Sequence, residues 1–261
     1  MAEVKLSARL TAIANMVNAD GLSEHDKEQY CLCDVGTDHA HIPIRLLMDG
    51  RIDRSIAMDV IEGPLLKARG NLELYQMTDL VELRLSDGLD AYREGEAQGL
   101  VIAGMGGRIM SRILLREPAK TLSFKELILQ PQADLDCVRR ALRELGLYID
   151  REQVVLEDNK YYPVMHVGHT YVEGPDWHRV RESGEDVRDD LLQDAEDLFG
   201  PVLLRERDDM LKSYLLWQKG VNDRILHSLG KARDDGNEAL IEKKRQVTRK
   251  DELIKAALSV F

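Results

Sequence analysis

The sequence predicts an α/β protein in which a mostly parallel sheet with a terminal antiparallel hairpin is followed by a separate α-helical domain. Short apolar segments of strand length alternate with amphipathic helical segments from residue 31 to residue 168, an order that builds a parallel sheet with crossover helices. Strand signals stop near residues 174–175, and only helical periodicity follows. We therefore expect two domains, residues 1–170 and residues 171–261.

The bulk composition is that of a water-soluble globular protein. Of the 261 residues, 44% are hydrophobic and 32% are charged, and the formal net charge is −11. No apolar run approaches the roughly 20 residues that span a bilayer, no signal-peptide pattern opens the chain, and the three cysteines favour a reducing compartment. We expect a cytoplasmic monomer without a membrane segment. The negative charge excludes a generic nucleic-acid coat protein, but not an RNA enzyme with a local basic face.

The first elements are a helix, a buried strand, a turn and a second helix. One face of the leading helix carries four apolar residues at helical spacing, Leu6, Leu10, Ile13 and Val17. The compact apolar run at 31–35 predicts a buried strand, and Gly36 allows a sharp turn at its end. Thr37 or Asp38 is expected to cap the helix that follows.

The turn after this strand has only part of a nucleotide-binding pattern. A dinucleotide fingerprint needs three glycines spaced G-x-G-x-x-G, whereas this turn has only Gly36. Asp38 and Ala40 stand where a looser D-x-G-x-G-x-G pattern would place glycines. The negative charge of Asp38 disfavours a pyrophosphate at this turn. A ligand with positive charge and no phosphate fits better, and S-adenosylmethionine (SAM) has an ammonium, a sulfonium and a nucleoside.

The later strands end in acidic or glycine-rich segments. Residues 54–60 predict a strand ending at Asp59, about 20 residues after Gly36, where a Rossmann-like site places the carboxylate for a ribose. The next three strands, residues 81–85, 100–103 and 127–129, end at Ser86-Asp87-Gly88, Gly104-Met105-Gly106-Gly107 and Gln130-Pro131-Gln132. A hairpin of residues 154–156 and 162–167 closes the domain.

Two apolar stripes at helical spacing predict the second domain. The first stripe contains Leu203, Leu204, Met210, Leu211, Tyr214, Trp217, Val221, Ile225 and Leu229, and the second contains Leu240, Val247, Ile254 and Leu258. Two such helices joined by a short loop predict an antiparallel helical hairpin or coiled coil.

Basic residues are concentrated after the fourth and fifth strands. Residues 108–143 contain 8 Lys and Arg against 4 Asp and Glu. This segment is either a patch that attracts phosphate groups or an ordinary solvated helix face.

Taken together, the strand-end motifs resemble a class I SAM-dependent methyltransferase and, more narrowly, the bacterial tRNA (adenine-N1)-methyltransferase family TrmK. The resemblance is carried by Asp34-Val-Gly-Thr-Asp-His-Ala40, Asp87-Gly-Leu89, Ala103-Gly-Met-Gly-Gly107 and Leu129-Gln-Pro-Gln132. It covers residues 4–168 by motif and the remainder by architecture, and it departs at Gln132, where the family is expected to have Asn. It implies a Rossmann-like domain followed by a helical coiled-coil domain, and methylation of N1 of adenosine 22 in the tRNA D-loop.

The resemblance also implies how SAM is bound. Asp34 and Gly36 are similar to residues near the methionine portion, and Asp59 is similar to the acid that binds the ribose. Asp87 is similar to the residue that accepts from the adenine amino group, with Gly88 beside it. Gly104 and Met105 are expected where the methyl donor meets the target base.

The chemistry at N1 needs alignment more than a strong base. The motif that holds an exocyclic amine in adenine-N6 methyltransferases, Asn/Asp-Pro-Pro followed by an aromatic residue, is absent after the fourth strand. N1 has an in-plane lone pair that can attack the methyl group directly, so alignment supplies most of the catalysis. Because the product base is cationic, a nearby carboxylate helps, and Asp38 is the candidate unless it caps a helix.

Several residues are expected to contact the tRNA. Arg108 and Arg112 are candidates for phosphate contacts, and the amides of Gln130 and Gln132 for substrate binding. A base that leaves its stack needs an aromatic platform. Candidates for that role are Tyr161 and Tyr162, beside Lys160, unless their rings pack within the hairpin.

Other functions remain open at this point. A methyltransferase that acts on a protein or a small molecule fits the net negative charge of the chain. A non-catalytic RNA-binding or protein-binding adaptor could have the same fold. A dinucleotide oxidoreductase lacks its glycine fingerprint. We expect no metal site, because His39 and His41 belong to no Cys/His set with zinc spacing.

Overall fold

The computed structural model describes residues 4–17, 29–170, 189–231 and 237–261. The chain divides into two compact units, residues 1–172 and 173–261.

The first unit contains a seven-stranded sheet in the order β3-β2-β1-β4-β5-β7-β6. The strands are β1 (Cys31–Val35), β2 (Arg54–Asp59), β3 (Val81–Leu85), β4 (Gly99–Gly106), β5 (Glu126–Ala133), β6 (Tyr148–Glu157) and β7 (Lys160–Gly168). The five strands β1 to β5 pair in parallel, and β7 pairs antiparallel with both β5 and β6. The predicted parallel sheet with a terminal antiparallel hairpin is therefore confirmed.

The described residues of this unit form six helices, which flank the sheet. They are α1 (Ala8–Met16), α2 (His41–Met48), α3 (Glu62–Leu74), α4 (Gly107–Arg116), α5 (Pro118–Leu122) and α6 (Leu135–Glu144). Apolar residues of α4 and α6 pack with one sheet face, where Met110 and Val138 are fully buried. Residues of α1, α2 and α3 cover the other face, where Ile13, Leu46 and Ala68 are fully buried. The central apolar residues of β1, β4 and β5 are thus buried on both faces of the sheet, as expected for its parallel part.

The start of α2 differs from the prediction that Thr37 or Asp38 caps it. The position before the helix is Ala40, and no side chain caps the first turn. His39 (φ 65°) and Ala40 (φ 56°) are both in the left-handed region, so the helix begins only at His41. Thr37 and Asp38 are therefore too early in the chain to cap it.

The second unit contains four described helices: α7 (Asp189–Phe199), α8 (Pro201–Arg205), α9 (Asp209–Lys231) and α10 (Glu238–Leu258). The first predicted stripe spans two helices, α8 and α9, because Arg207 takes a left-handed conformation (φ 54°) between them. Helices α9 and α10 form the predicted hairpin, in which the Asn222 side chain donates to the Val247 carbonyl oxygen at 2.9 Å. Helix α7 was not predicted from the sequence.

Candidate active site

The carboxyl ends of five neighbouring parallel strands bring the predicted cofactor residues to one edge of the sheet. From β3 to β5, this edge carries Asp87, Asp59, Asp34 with Gly36, Gly104 and Gln130. Ligands of open α/β sheets bind at this edge, near the point where the strand order reverses, which here lies between β1 and β4.

The turn after β1 is shaped by Gly36, whose φ of +78° is unfavourable for any residue with a side chain. The backbone N–H groups of Gly36 and Thr37 both donate to the Met58 carbonyl oxygen, at 2.8 and 2.9 Å. Neither N–H group therefore points to a ligand phosphate. A Cβ on Gly36 would lie 2.2 Å from the Cε of Met105, so the Met105 side chain rests directly on this turn.

Asp34 lies at the buried end of β1, 5% exposed. Burial raises the pKa of its carboxyl group to about 6, the nearby Thr37 hydroxyl opposes that shift in part, and the charge of Asp59 adds to it. The Thr37 hydroxyl is itself buried and has no well-formed hydrogen bond among the described residues. A buried carboxyl group with a raised pKa is typical of a ligand site, and so is a buried hydroxyl that lacks a well-formed hydrogen bond. In a hydrophobic core, buried polar groups are normally hydrogen-bonded.

Asp59 presents its carboxylate at the end of β2. Its Oδ1 atom accepts from the backbone N–H of Ile61 at 2.8 Å, which fixes the side chain against the following turn. Val60 and Ile61 are each 61% exposed, and Leu85 at the end of β3 is 55% exposed. The edge therefore offers an acceptor beside an apolar surface, the combination that a nucleoside needs. The sequence analysis missed this apolar surface, although Val60-Ile61 directly follows the predicted acid.

Asp87 forms an ion pair with Arg116. Arg116 of α4 donates to Asp87 Oδ2 at 2.9 Å, and also to the Asp87 backbone oxygen and to Asp90. The next residue, Gly88, has a φ of +62°, and a Cβ there would lie 2.9 Å from Ile113. The Asp87-Gly88 turn is thus held in place by two residues of α4.

A bulge in β4 separates Gly104 from its neighbours. Ala103 pairs with Gln130 and Met105 pairs with Pro131, so Gly104, with a φ of +77°, has no partner in the ladder. Its N–H instead donates to Gln130 Oε1 at 3.2 Å. Because of the extra residue, Met105 packs with the same sheet face as Ile102.

Gln130 is fully buried and organises this end of the site. Its Oε1 atom also accepts from Arg9 Nη1 at 2.8 Å, and its Nε2 atom donates to the Pro131 carbonyl oxygen at 3.0 Å. Arg9, on α1, was not among the predicted site residues. Its contact with Gln130 joins residues 121 positions apart, and no local motif signals it.

The aromatic pair of the hairpin is divided between the two faces of β7, since neighbouring strand residues point to opposite sides. Tyr162 lies under Arg9, whose guanidinium carbon is 5.4 Å from the ring centroid. Tyr161, the predicted platform for the base, pairs with Leu156 in the ladder. Lys160 is exposed at the start of β7.

Asp38 is solvent-exposed, and its Oδ1 atom is 3.2 Å from His39 Nε2. The rings of His39 and His41 stack with centroids 5.2 Å apart. Burial and the neighbouring His39 lower the pKa of His41. The loop after β1 therefore carries one carboxylate facing solvent beside two imidazoles.

The basic segment after β4 and β5 is less positive than its composition indicates. Arg139 is buried in an ion pair with Glu152 at 2.9 Å, and Arg108 lies 3.5 Å from Asp134. Arg140 pairs with Asp136. Arg112 remains exposed on α4. Arg139 cannot contribute to a phosphate-binding surface.

The fold and the strand-end site define a methyltransferase, and the chain belongs to the family described as "Methyltransferase domain", whose model matches residues 6–165. A tRNA (adenine(22)-N(1))-methyltransferase of Bacillus subtilis (strain 168) is 29% identical over 210 residues, which are 80% of this chain and 79% of that protein.

Solved structures extend the similarity to both units. The crystal structure of the B. subtilis m1A22 tRNA methyltransferase TrmK has a TM-score of 0.78 at 25% identity, covering 98% of this chain and all of that one. A Streptococcus pneumoniae protein, described as a candidate tRNA (m1A22) methyltransferase and solved in complex with SAM, has a TM-score of 0.72 at 29% identity, covering 97% and 100%.

SAM fits the donor set at this edge. The half-buried Asp59 carboxylate next to apolar side chains suits the nucleoside, and a buried carboxyl group near a buried hydroxyl suits the charged amino-acid portion. Among the described residues, no group of three or more His, Cys, Asp or Glu could hold a metal ion. In the same part of the chain, no helix is long and apolar enough to cross a membrane.

Proposed function

We propose that this chain is a SAM-dependent tRNA methyltransferase that modifies N1 of adenosine 22 in the D-loop. One arrangement carries the proposal: Met105 rests on the Gly36 turn, and the adjacent Gly104 is bonded through Gln130 to Arg9. The bulged segment of β4 thus connects the strand ends suited to SAM with an exposed polar surface suited to the acceptor nucleotide. The similarity to m1A22 methyltransferases over both units supports the same activity.

The cofactor is held by residues of β1, β2 and β3. Asp34 and Thr37 bind the methionine portion, and Asp59 accepts hydrogen bonds from the ribose hydroxyls. Asp87, next to Gly88, accepts from the adenine amino group, and Val60 and Ile61 cover the adenine ring. Each of these groups is at the same sheet edge, on a strand end or the turn that follows it.

Catalysis is mainly positional. When bound, SAM supplies an electrophilic methyl group that the N1 lone pair of adenine can attack directly. No residue of the chain then has to remove a proton before transfer. Gly104 leaves space for the target nucleotide, and Met105 sets the position of the methyl donor against the Gly36 turn. The Asp38 carboxylate favours the cationic product base.

The tRNA contacts further residues on both units. On the first unit these are Arg108, Arg112, Gln132, Lys160 and Tyr161. On the second unit, a cavity of about 510 Å³ is lined by Arg245, Arg249 and Lys250 together with Leu198, Gln246 and Leu253. Burial lowers the pKa of Lys250. The two arginines of this cavity are paired with carboxylates, Arg245 with Glu242 and Arg249 with Asp194 and Glu252, so we expect this region to hold the tRNA body through hydrogen bonds more than through net charge.

The first experiment is methyl transfer from labelled SAM to two tRNA transcripts, one with A22 and one with G22, followed by nucleoside analysis. The proposal expects label as N1-methyladenosine with the A22 transcript only. SAM binding without label in either transcript would contradict the tRNA assignment and favour a protein or small-molecule acceptor. Binding of NAD in place of SAM would overturn the proposal altogether.

A further inference from the structure

Two contacts position the guanidinium of Arg9 at the mouth of the site. It lies over the Tyr162 ring at 5.4 Å and donates to the buried Oε1 atom of Gln130 at 2.8 Å. The backbone N–H of Arg9 donates to Glu157 Oε2 at 2.8 Å, which fixes the first turn of α1 to the hairpin. An aromatic face and a buried amide together hold the plane of the guanidinium before any substrate arrives.

Most hydrogen-bond donors of this guanidinium are not used within the described chain. A guanidinium has five N–H donors. Among the described residues, the Arg9 side chain has one hydrogen bond, to a neutral amide, and no ion pair. Other arginines of this unit, such as Arg84, Arg116 and Arg139, are each paired with carboxylates. Arg9 therefore has a half-buried positive charge whose guanidinium bonds no anion directly, although the Glu157 carboxylate, bonded to the Arg9 backbone, lies close enough for the two charges to interact.

A second donor points to the same place. The Nε2 atom of Gln132 and the Nη1 atom of Arg9 lie 3.7 and 3.8 Å from the position that a Cβ on Gly104 would occupy. Gly104 is exposed and has no side chain, so this position is open to a ligand. A cation and a neutral amide thus converge above the residue proposed to lie beside the reacting base.

We propose that Arg9 and Gln132 form a subsite for a phosphate group flanking the target adenosine, an inference that rests on the proposed function. A phosphate suits the pair better than the base does, for two reasons. The base becomes cationic on N1 methylation, so an arginine against it would be unfavourable. A donor bonded to N1 would also block the lone pair that must attack, whereas phosphate oxygens accept from a guanidinium in a paired, charge-assisted geometry.

The test is the salt dependence of tRNA binding by the Arg9→Gln variant. A plot of log K for tRNA binding against log salt concentration has a negative slope, and each lost phosphate contact makes that slope shallower by about 0.7–0.9. We expect Arg9→Gln to weaken tRNA binding at least tenfold at low salt with a slope reduced by about one contact. Arg9→Lys should keep the slope, and Gln132→Ala should weaken binding with the slope unchanged, because its amide is neutral.

The matched control is Arg93→Gln. Arg93 is 87% exposed and lies between β3 and β4, before the amino end of β4. This variant should bind tRNA like the wild type. SAM affinity should be unchanged in every variant, and the loss of methyl transfer by Arg9→Gln should fall mainly on KM for tRNA. A drop in kcat and SAM affinity at unchanged KM would instead indicate that Arg9 only supports Gln130, and would overturn the subsite.

Phosphate ethylation interference locates the contact. With the wild type, ethylation of a phosphate next to adenosine 22 should prevent binding, and with Arg9→Gln the same ethylation should have no further effect. If ethylation interferes identically with the wild type and with Arg9→Gln, and the wild type still methylates the A22 transcript, the subsite is refuted but the proposed function is not. If the wild type methylates neither transcript, it is the proposed function that fails.

Discussion

The ε-methyl group of Met105 occupies the space next to Gly36, where a Cβ would approach it to 2.2 Å. The contact joins the turn after β1 to the bulged end of β4, across the point where the strand order reverses. We therefore expect a change in either residue to affect the position of the other.

Gly36→Ala should reduce methyl transfer strongly and stability moderately. The left-handed conformation costs a residue with a side chain about 1–2 kcal/mol, and the new methyl group displaces Met105. Adding Met105→Ala should remove the displacement but not the backbone strain. Gly50→Ala is the matched control, because Gly50 has a φ of +65° and a Cβ there would meet nothing within 4 Å.

Urea unfolding and steady-state kinetics separate the two effects of this series. Gly36→Ala and Gly50→Ala should lose similar stability, and only Gly36→Ala should lose activity. Wild-type activity in Gly36→Ala would show that the Met105 contact is irrelevant to transfer.

SAM binding should weaken as the pH falls through about 6. Burial raises the pKa of Asp34 to about 6 in the free protein, and the ionised form is the one that attracts the cationic methionine portion. Below that pH the carboxyl group must lose its proton before binding, which costs about tenfold in affinity per pH unit. Calorimetric titrations between pH 5 and pH 8 measure this dependence. Asp34→Asn should bind weakly, with no inflection near pH 6, and an inflection retained in that variant would assign the effect to another group.

Asp87→Asn should weaken SAM binding about 10–100-fold, the range for losing a hydrogen bond to a charged acceptor. The domain should remain folded, because Asp87 is exposed and its ion pair with Arg116 lies on the surface. Asp90→Asn is the control, since Asp90 shares the same Arg116 partner but lies further from the end of β3. Equal losses in the two variants would mean that Arg116, rather than the Asp87 carboxylate, determines the affinity.

The stability of the first unit should fall as the pH rises from about 6.5 to 9. His166 is buried between Asp150 and Glu126, at 2.5 and 2.7 Å, and Glu126 also accepts from Tyr30. Burial opposes its protonation, but hydrogen bonds to both carboxylates outweigh burial and raise the pKa of His166 to about 9. Because the folded state holds the proton more tightly than the unfolded state, the stabilisation is complete below pH 6.5 and lost above pH 9.

Urea unfolding at pH 6, 7.5 and 9.5 measures this contribution. The difference in unfolding free energy between the wild type and His166→Gln should be largest at pH 6 and smallest at pH 9.5. A difference that does not change with pH would mean that His166 is neutral in the folded protein.

The strand ends were predictable because each is marked locally. A short apolar run followed by Asp or Gly fixes where a parallel strand stops, and this places Asp59, Asp87 and Gly104 at one edge. The contact of Arg9 with Gln130 was not predictable, since it depends on how α1 packs against β5 rather than on any pattern near residue 9. The burial of Arg139 was missed for the same reason, because its partner Glu152 belongs to a different element.

The start of α2 was missed for a backbone reason. Sequence rules for helix caps assume that the helix begins directly after a polar residue. Here two left-handed residues without glycine, His39 and Ala40, delay the helix, and side-chain chemistry does not signal such a conformation.

The bulge at Gly104 in β4 determines on which face of the sheet the Met105 side chain lies. Strand side chains alternate, so without the bulge Met105 would follow Ala103 onto the face covered by α1 and α2. In a regular ladder of the same length, the Met105 side chain would therefore point away from Gly36, and it is the bulge at Gly104 that brings the two residues together. The irregular pairing at Gly104 is thus part of the proposed site, and a redesign that restored regular pairing at the same length would remove the contact between Met105 and the Gly36 turn.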